Sequence, residues 1–208
     1  NNNPKNPVIG LRSFSDSPQT VIKFAKQSLE GFLSTGVIPC LKHFPGHGDV
    51  TVDSHKTLPV VYKSLKDIYD TELLPFRSLS NKAPVIMTAH ILFPTLDTRY
   101  CATLSSSILE DLLRKHLNYK GIIISDSLTM KGVNMPGESR EEVFINAFLA
   151  GNDILLFGGR DLENKVEGET TKDEIFRYYT ALLQAVKSGR VSEERLNASV
   201  ERILSLKQ

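Results

Sequence analysis

Short apolar runs alternate with amphipathic stretches along the chain. Val8-Ile9-Gly10, Val37 to Leu41, Val85 to Ala89, Ile122 to Ile124 and Asp153 to Phe157 read as strands. Between the first two, Val21, Ile22, Ala25, Leu29, Phe32 and Leu33 recur at helical spacing. A helix is therefore predicted there, opened by Ser17-Pro18 and closed by Gly36. Further helices are predicted from Ser64, with Asp67 completing its cap, from about Ser107 (with Glu110) through Leu117, and from Ser139 (with Glu142) to Gly151. Two amphipathic helices, near Ile175 to Val186 and Leu196 to Leu206, follow. Buried strands joined by helical crossovers specify an α/β fold.

Two architectures fit this rhythm, an open doubly wound sheet and a (β/α)8 barrel of the TIM type. Lys42-His43, His90, Ser125-Asp126 and Gly158-Gly159 each follow the last apolar residues of a predicted strand. Polar groups at the C-terminal ends of successive strands favour the barrel. The visible strands are too few to close one, so the barrel's earlier strands would lie in a preceding segment, or the sheet is open. The polar start, Asn1 to Lys5 without a Met, reads as a connection entering a strand.

Composition narrows the partners. The 208 residues are 40% hydrophobic and 24% charged, enough for one sizeable core, and the formal charge is +1. No run of Lys or Arg would track a phosphate backbone, which argues against nucleic acid. No apolar stretch approaches the roughly 20 residues of a membrane helix, and the N-terminus carries no signal pattern, which argues against a membrane. Cys40 and Cys101 lie far apart, as suits a reduced, cytoplasmic protein with two structural thiols.

Candidate chemistry concentrates in one loop. Lys42-His43-Phe44-Pro45-Gly46-His47-Gly48-Asp49-Val50-Thr51-Val52-Asp53-Ser54-His55 holds three His and two Asp between glycine bends. One such residue alone caps a backbone group as readily as it serves function; three imidazoles together do not fit that explanation. If the loop runs extended through Asp53-Ser54-His55, the period of two sets the carboxylate and the imidazole on one face, as a general acid/base pair. A metal site of His43, His47 and His55 competes, but the His43-x3-His47 spacing suits ligands on a helix, which Pro45, Gly46 and Gly48 forbid. Asp126, at the mouth of a buried strand between Ser125 and Ser127, is either a cap for the next helix or a second carboxylate for glycoside chemistry. Arg12 is a surface residue or a donor to a polar substrate, and Lys42 and His43 are placed to do the same for sugar hydroxyls. His116, on a helix, reads as surface. The absence of Trp removes the usual sugar-stacking side chain, a role Phe44, Phe93 or a Tyr would then take.

Three segments together carry a resemblance: Lys42 to Asp49 leading to Asp53-Ser54-His55, then Met87-Thr88-Ala89-His90-Ile91, then Ser125-Asp126-Ser127-Leu128-x-Met130. They resemble the glycoside hydrolase family 3 β-N-acetylglucosaminidases, in particular the NagZ type of peptidoglycan recycling. The likeness extends to Asn6-Pro7-Val8-Ile9-Gly10-x-Arg12-Ser13-Phe14 and so covers nearly the whole chain. It implies a (β/α)8 barrel of which residues 1–208 form the C-terminal part. It implies a retaining exo-enzyme that hydrolyses terminal N-acetylglucosamine from peptidoglycan fragments containing 1,6-anhydro-N-acetylmuramic acid, without metal or organic cofactor. Carried over by position, Asp126 is the nucleophile, His55 the acid/base and Asp53 its partner, with Arg12, Lys42 and His43 binding substrate. Two departures stand out: Asp49-Val50-Thr51 replaces an expected Asp-Thr, and the stretch bearing the first barrel strands is absent. That missing N-terminal segment of the same barrel would then be this chain's partner. A metal-dependent hydrolase on the same barrel, or a catalytically silent sugar-binding fragment, remain the alternatives.

Overall fold

A computed structural model describes residues 1–158 and 170–207. Helix α1 (Pro18–Ser34) begins where Ser17 Oγ accepts the Thr20 N–H. Three parallel strands follow in spatial order, β1 (Cys40–Phe44), β2 (Val85–Thr88) and β3 (Ile122–Ile124). Cys40 lies opposite Val85, and Ile86 opposite Ile123. Between β1 and β2 the chain forms α2 (Leu65–Asp67), a π-helical turn (Ile68–Glu72) and α3 (Leu74–Leu79). A wide helix (Ser107–His116) separates β2 from β3. Then come α4 (Arg140–Ala150), α5 (Lys172–Lys187) and α6 (Glu193–Lys207). Thr171 and Glu174 form a reciprocal capping box at the start of α5. No helix among the described residues is long and apolar enough to cross a membrane.

The main core lies between the sheet and its helices. Phe44, Ile86 and Ile123 are fully buried, together with Ile68, Leu73 and Ile108. Behind the sheet, at its N-terminal end, Asp153 gathers the elements. Its carboxylate accepts the Ile123 N–H, Arg114 Nη2 at 2.5 Å, Ser199 Oγ and Arg202 Nη1. The wide helix, β3 and α6 thereby meet on one buried anion.

Among the described residues, no strand pairs with the β1 edge away from β2. Between that edge, α1 and the N-terminal segment lies a cavity of about 560 Å³. Its lining includes Leu29 and Ile38, and also His43, His47 and Glu72. His43 Nδ1, His47 Nδ1 and Glu72 Oε2 are buried there with no hydrogen-bond partner among the described residues.

Several expectations are corrected. Val8-Ile9-Gly10 is not a strand. The Asn6 side chain accepts the Val8 and Ile9 N–H groups, and Gly10 at φ +46° enters a 3-10 turn over Gly10–Arg12. The second strand begins at Cys40 and not at Val37, so Lys42 and His43 lie within it and not after it. Asp153 to Phe157 contributes a single parallel bridge, Ile154 to Ile124, because the Ser125 hydroxyl takes the Leu156 N–H that a ladder would use. The cap before the wide helix comes from Ser105, whose Oγ accepts the Ile108 N–H; Ser107 and Glu110 make none. Of the Gly158-Gly159 pair, Gly159 lies outside the described residues. The remaining helices form where predicted.

Candidate active site

The three strands end on one face, and that face carries the candidate residues. His43, near the end of β1, points its Nε2 at Asp126 Oδ2 across 3.7 Å. Asp126 follows β3, and its Oδ1 accepts the N–H of Ser127 at 2.8 Å. The carboxylate is less than one-fifth exposed, and its charge acts on His43, His47 and His90 together. Burial nevertheless dominates at all three rings and pushes each pKa below the ordinary histidine value, so they are neutral near pH 7. The His43 and His47 rings meet edge-on at 5.3 Å, and His47 Nε2 lies 3.3 Å from Ser54 Oγ.

His55 and Asp53 form a pair, by a route other than the extended backbone expected. The segment is a turn, in which Asp53 O accepts the N–H groups of Lys56 and Thr57. Asp53 Oδ1 then accepts both the His55 backbone N–H at 2.9 Å and the ring at Nδ1 at 2.7 Å. Burial works to raise the Asp53 pKa, but these hydrogen bonds and the nearby cations outweigh it, and the carboxyl sits below its usual range. With Nδ1 engaged, His55 Nε2 is the ring atom left for proton transfer, on a side chain about half exposed.

Two loops are stitched together here. Gly132 N–H donates to Ser54 O at 3.0 Å, and Lys131 N–H reaches His55 O at 3.4 Å. The loop bearing His55 is thus tied to the loop that follows Asp126. Gly132 permits it: a Cβ there would stand 2.5 Å from Ser54 O and 3.1 Å from Thr57 O.

Arg12 and Lys42 border the same site. Arg12 spends two of its N–H groups on Val8 O, and its charge, like that of Lys42, reaches His43. On the far side of the loop, Lys63 bridges Asp49 at 2.9 Å and buried Glu72 at 2.5 Å, bracing the His43–Asp49 turn from behind. Among the described residues no group of three or more His, Cys, Asp or Glu side chains converges as a metal ion would require. His55 is drawn to Asp53 and does not join His43 and His47 as a third ligand. His116 lies on the surface against Tyr69.

Three contributors were not foreseen in the sequence: Gly132, Lys63 with Glu72, and the hydroxyls of Thr88 and Thr103 beneath His90. Thr88 and His90 sit two residues apart in Thr88-Ala89-His90, a spacing that hinted at a shared face. Nothing local marked the others.

Comparison with known proteins places the family and the fold. Residues 1–206 match the glycosyl hydrolase family 3 N terminal domain. Beta-hexosaminidase A of Pseudoalteromonas piscicida is 36% identical over 220 residues, covering all of this chain and 36% of that protein. A beta-hexosaminidase of Neisseria meningitidis serogroup B is 41% identical over 155 residues, covering 74% of this chain and 42% of that protein. The structure of a glycoside hydrolase family 3 beta-N-acetylglucosaminidase from a Paenibacillus species superposes with a TM-score of 0.90 at 40% identity, over 100% of this chain and 38% of that one. The chain thus spans well under half the length of these relatives, and its parallel strands and outer helices form part of an α/β barrel. By sequence and by fold alike, the chain belongs to glycoside hydrolase family 3, within that family's N-terminal domain.

Proposed function

We propose that this chain carries the catalytic residues of a retaining exo-β-N-acetylglucosaminidase that releases terminal N-acetylglucosamine from peptidoglycan fragments. Relatives named beta-hexosaminidase and a structural neighbour named beta-N-acetylglucosaminidase support the sugar. The observation that carries the chemistry is the tie between the two loops, Gly132 to Ser54 and Lys131 to His55, which joins the loop bearing the proton-transfer pair to the loop that follows the largely buried carboxylate.

In the first step Asp126 attacks the anomeric carbon as the glycosidic C–O bond breaks, and the leaving oxygen takes a proton from His55 Nε2. In the second, His55 Nε2 removes a proton from water, which attacks the same carbon and frees Asp126. Asp53 holds the ring through Nδ1 and balances the imidazolium. Arg12, Lys42 and neutral His43 bind sugar hydroxyls.

The open edge of β1 and the cavity beside it, with three polar atoms unpartnered among the described residues, suit a further segment of the same protein as neighbour. That segment supplies the earlier barrel strands; the relatives' greater length supports this arrangement. A reducing compartment, the cytoplasm, suits the unpaired Cys40 and Cys101.

The test uses the full-length protein and p-nitrophenyl N-acetyl-β-glucosaminide. Asp126→Ala should abolish release of p-nitrophenol, a 5-fluoro glycosyl fluoride should label the peptide bearing Asp126, and a chelator should leave the rate unchanged. Substantial turnover by Asp126→Ala would refute its role, and loss of activity on chelation would favour the metal-dependent alternative.

A further inference from the structure

His90 touches neither Asp126 nor any group assigned a chemical step, yet it is buried at the end of β2 beneath the site. Its two ring nitrogens are both engaged. Nε2 faces Ser127 O at 2.9 Å, and Nδ1 faces Thr103 Oγ1 at 2.8 Å. A carbonyl oxygen only accepts, so the ring proton belongs on Nε2 and Nδ1 must accept. The Thr103 hydroxyl then donates to Nδ1, although Ala89 O stands 3.0 Å away as a competing acceptor. Thr103 in turn accepts from Thr88 Oγ1 at 2.9 Å, whose other acceptor, Asn152 Oδ1, is more distant at 3.4 Å. Asn152 Nδ2 donates to Thr103 O and Ala147 O, which fixes the 3-10 turn Ala102–Leu104 that carries Thr103.

The direction of every bond in this chain follows from one carbonyl. At its far end is Ser127, whose N–H donates to Asp126 Oδ1 and whose hydroxyl donates to Gly158 O. The Ser127 carbonyl and N–H lie in the two peptide units that flank its Cα, so fixing the carbonyl acts through the Ser127 backbone on the neighbouring N–H against which the Asp126 carboxylate rests.

We propose that Thr88, Thr103 and His90 form a one-way hydrogen-bond relay that positions Asp126 for attack by holding the Ser127 carbonyl and, through the Ser127 backbone, the N–H on which the carboxylate rests. This rests on the assignment of Asp126 as nucleophile. His90 is a positioning residue: burial keeps it neutral, and its single ring proton is committed to Ser127. A charged His90 would present a second N–H to Thr103 and reverse the order of the hydroxyls behind it.

The experiment uses the full-length enzyme and the aryl N-acetylglucosaminide. Thr103→Val, close in shape but without the hydroxyl, should lower kcat by about tenfold or more with KM within about twofold, because the carboxylate loses its orientation and the sugar contacts do not. Thr103→Ser, which restores the donor, should bring kcat back to within about threefold of wild type. A 15N spectrum of the wild-type protein should show His90 neutral near pH 7 with its proton on Nε2, its titration displaced below that of an ordinary histidine by burial. That measurement stands even if Thr103→Val does not fold. An active wild type whose Thr103→Val variant keeps its kcat, or a His90 proton found on Nδ1, would overturn the relay alone. An inactive wild type would overturn the functional assignment and the relay with it.

Discussion

Adding one methyl group at Gly132 separates the geometry of the site from its composition. The ideal Cβ of Gly132→Ala would sit 2.5 Å from Ser54 O and 3.3 Å from Ser54 C, with Thr57 O at 3.1 Å. All are backbone atoms, so no side chain can swing aside. Ordinary contact requires Ser54 to retreat by roughly an ångström, and the hydrogen bond from Gly132 N–H to Ser54 O stretches with it. His55 and Asp53 ride on that segment. A misplacement of about one ångström costs on the order of 10²-fold in rate, or about 2.7 kcal/mol of transition-state stabilisation. Overpacking at the same point should cost about 1–3 kcal/mol of stability, so the assay is kcat/KM at a temperature where circular dichroism shows both proteins folded. Gly31→Ala in α1 is the control. Its Cβ meets nothing within 4 Å, and the change should leave activity intact while stabilising the helix by up to about 1 kcal/mol. If Gly132→Ala keeps kcat/KM within about threefold of wild type, the idea that the two stitched loops set the spacing of the acid/base and the nucleophile is wrong.

Two further expectations concern stability. His43, His47 and His90 have pKa values lowered by burial, so the folded protein binds fewer protons than the unfolded chain below about pH 6.5. Their stabilising contribution is complete above that pH and is lost as the pH falls toward the depressed folded values; Tm should drop between about pH 7 and pH 5, and a flat profile would contradict the burial argument. Asp153→Ala removes the shared partner of Arg114 and Arg202 and leaves buried positive charge behind, which should cost about 3–5 kcal/mol in denaturant unfolding; a loss below about 1 kcal/mol would show that the arginines find solvent or other partners.

What could be read in the sequence, and what could not, follows from how local each cause is. Ile122 to Ile124 forms a strand with Asp126 just beyond it because three consecutive β-branched residues allow little else in a buried setting. The helix caps at Ser17 and Ser139 need only a hydroxyl three residues before its donor. Val8-Ile9-Gly10 misleads for an equally local reason: the side chain that cancels the strand, Asn6, sits two residues upstream and competes for the same N–H groups. The start of β1 depends on a neighbour instead, since strand pairing begins only where Val85 lies opposite Cys40. Asp53 and His55 were expected to meet across an extended segment and meet within a turn, because one carboxylate oxygen accepts from both the ring and the backbone of His55. The relay through Thr103 could not have been read. Thr103 is 13 residues from His90 and 49 from Asn152, and no hydrophobic period marks a threonine whose partners are chosen by the fold.

The cluster around Asp153 has a consequence for how this protein can change. It fastens the wide helix, β3 and α6 at the end of the strands remote from Asp126. The buried ion cluster thus lies at one pole of the strands and the candidate site at the other. Under the proposed function, insertions or substitutions in the outer parts of the loops around His55 and Asp126 can alter which sugar is accepted while the opposite pole keeps the elements in register. Changes in the outer parts of those loops, away from Gly132 and the proposed catalytic side chains, leave the elements in register, whereas changes around the buried anion do not.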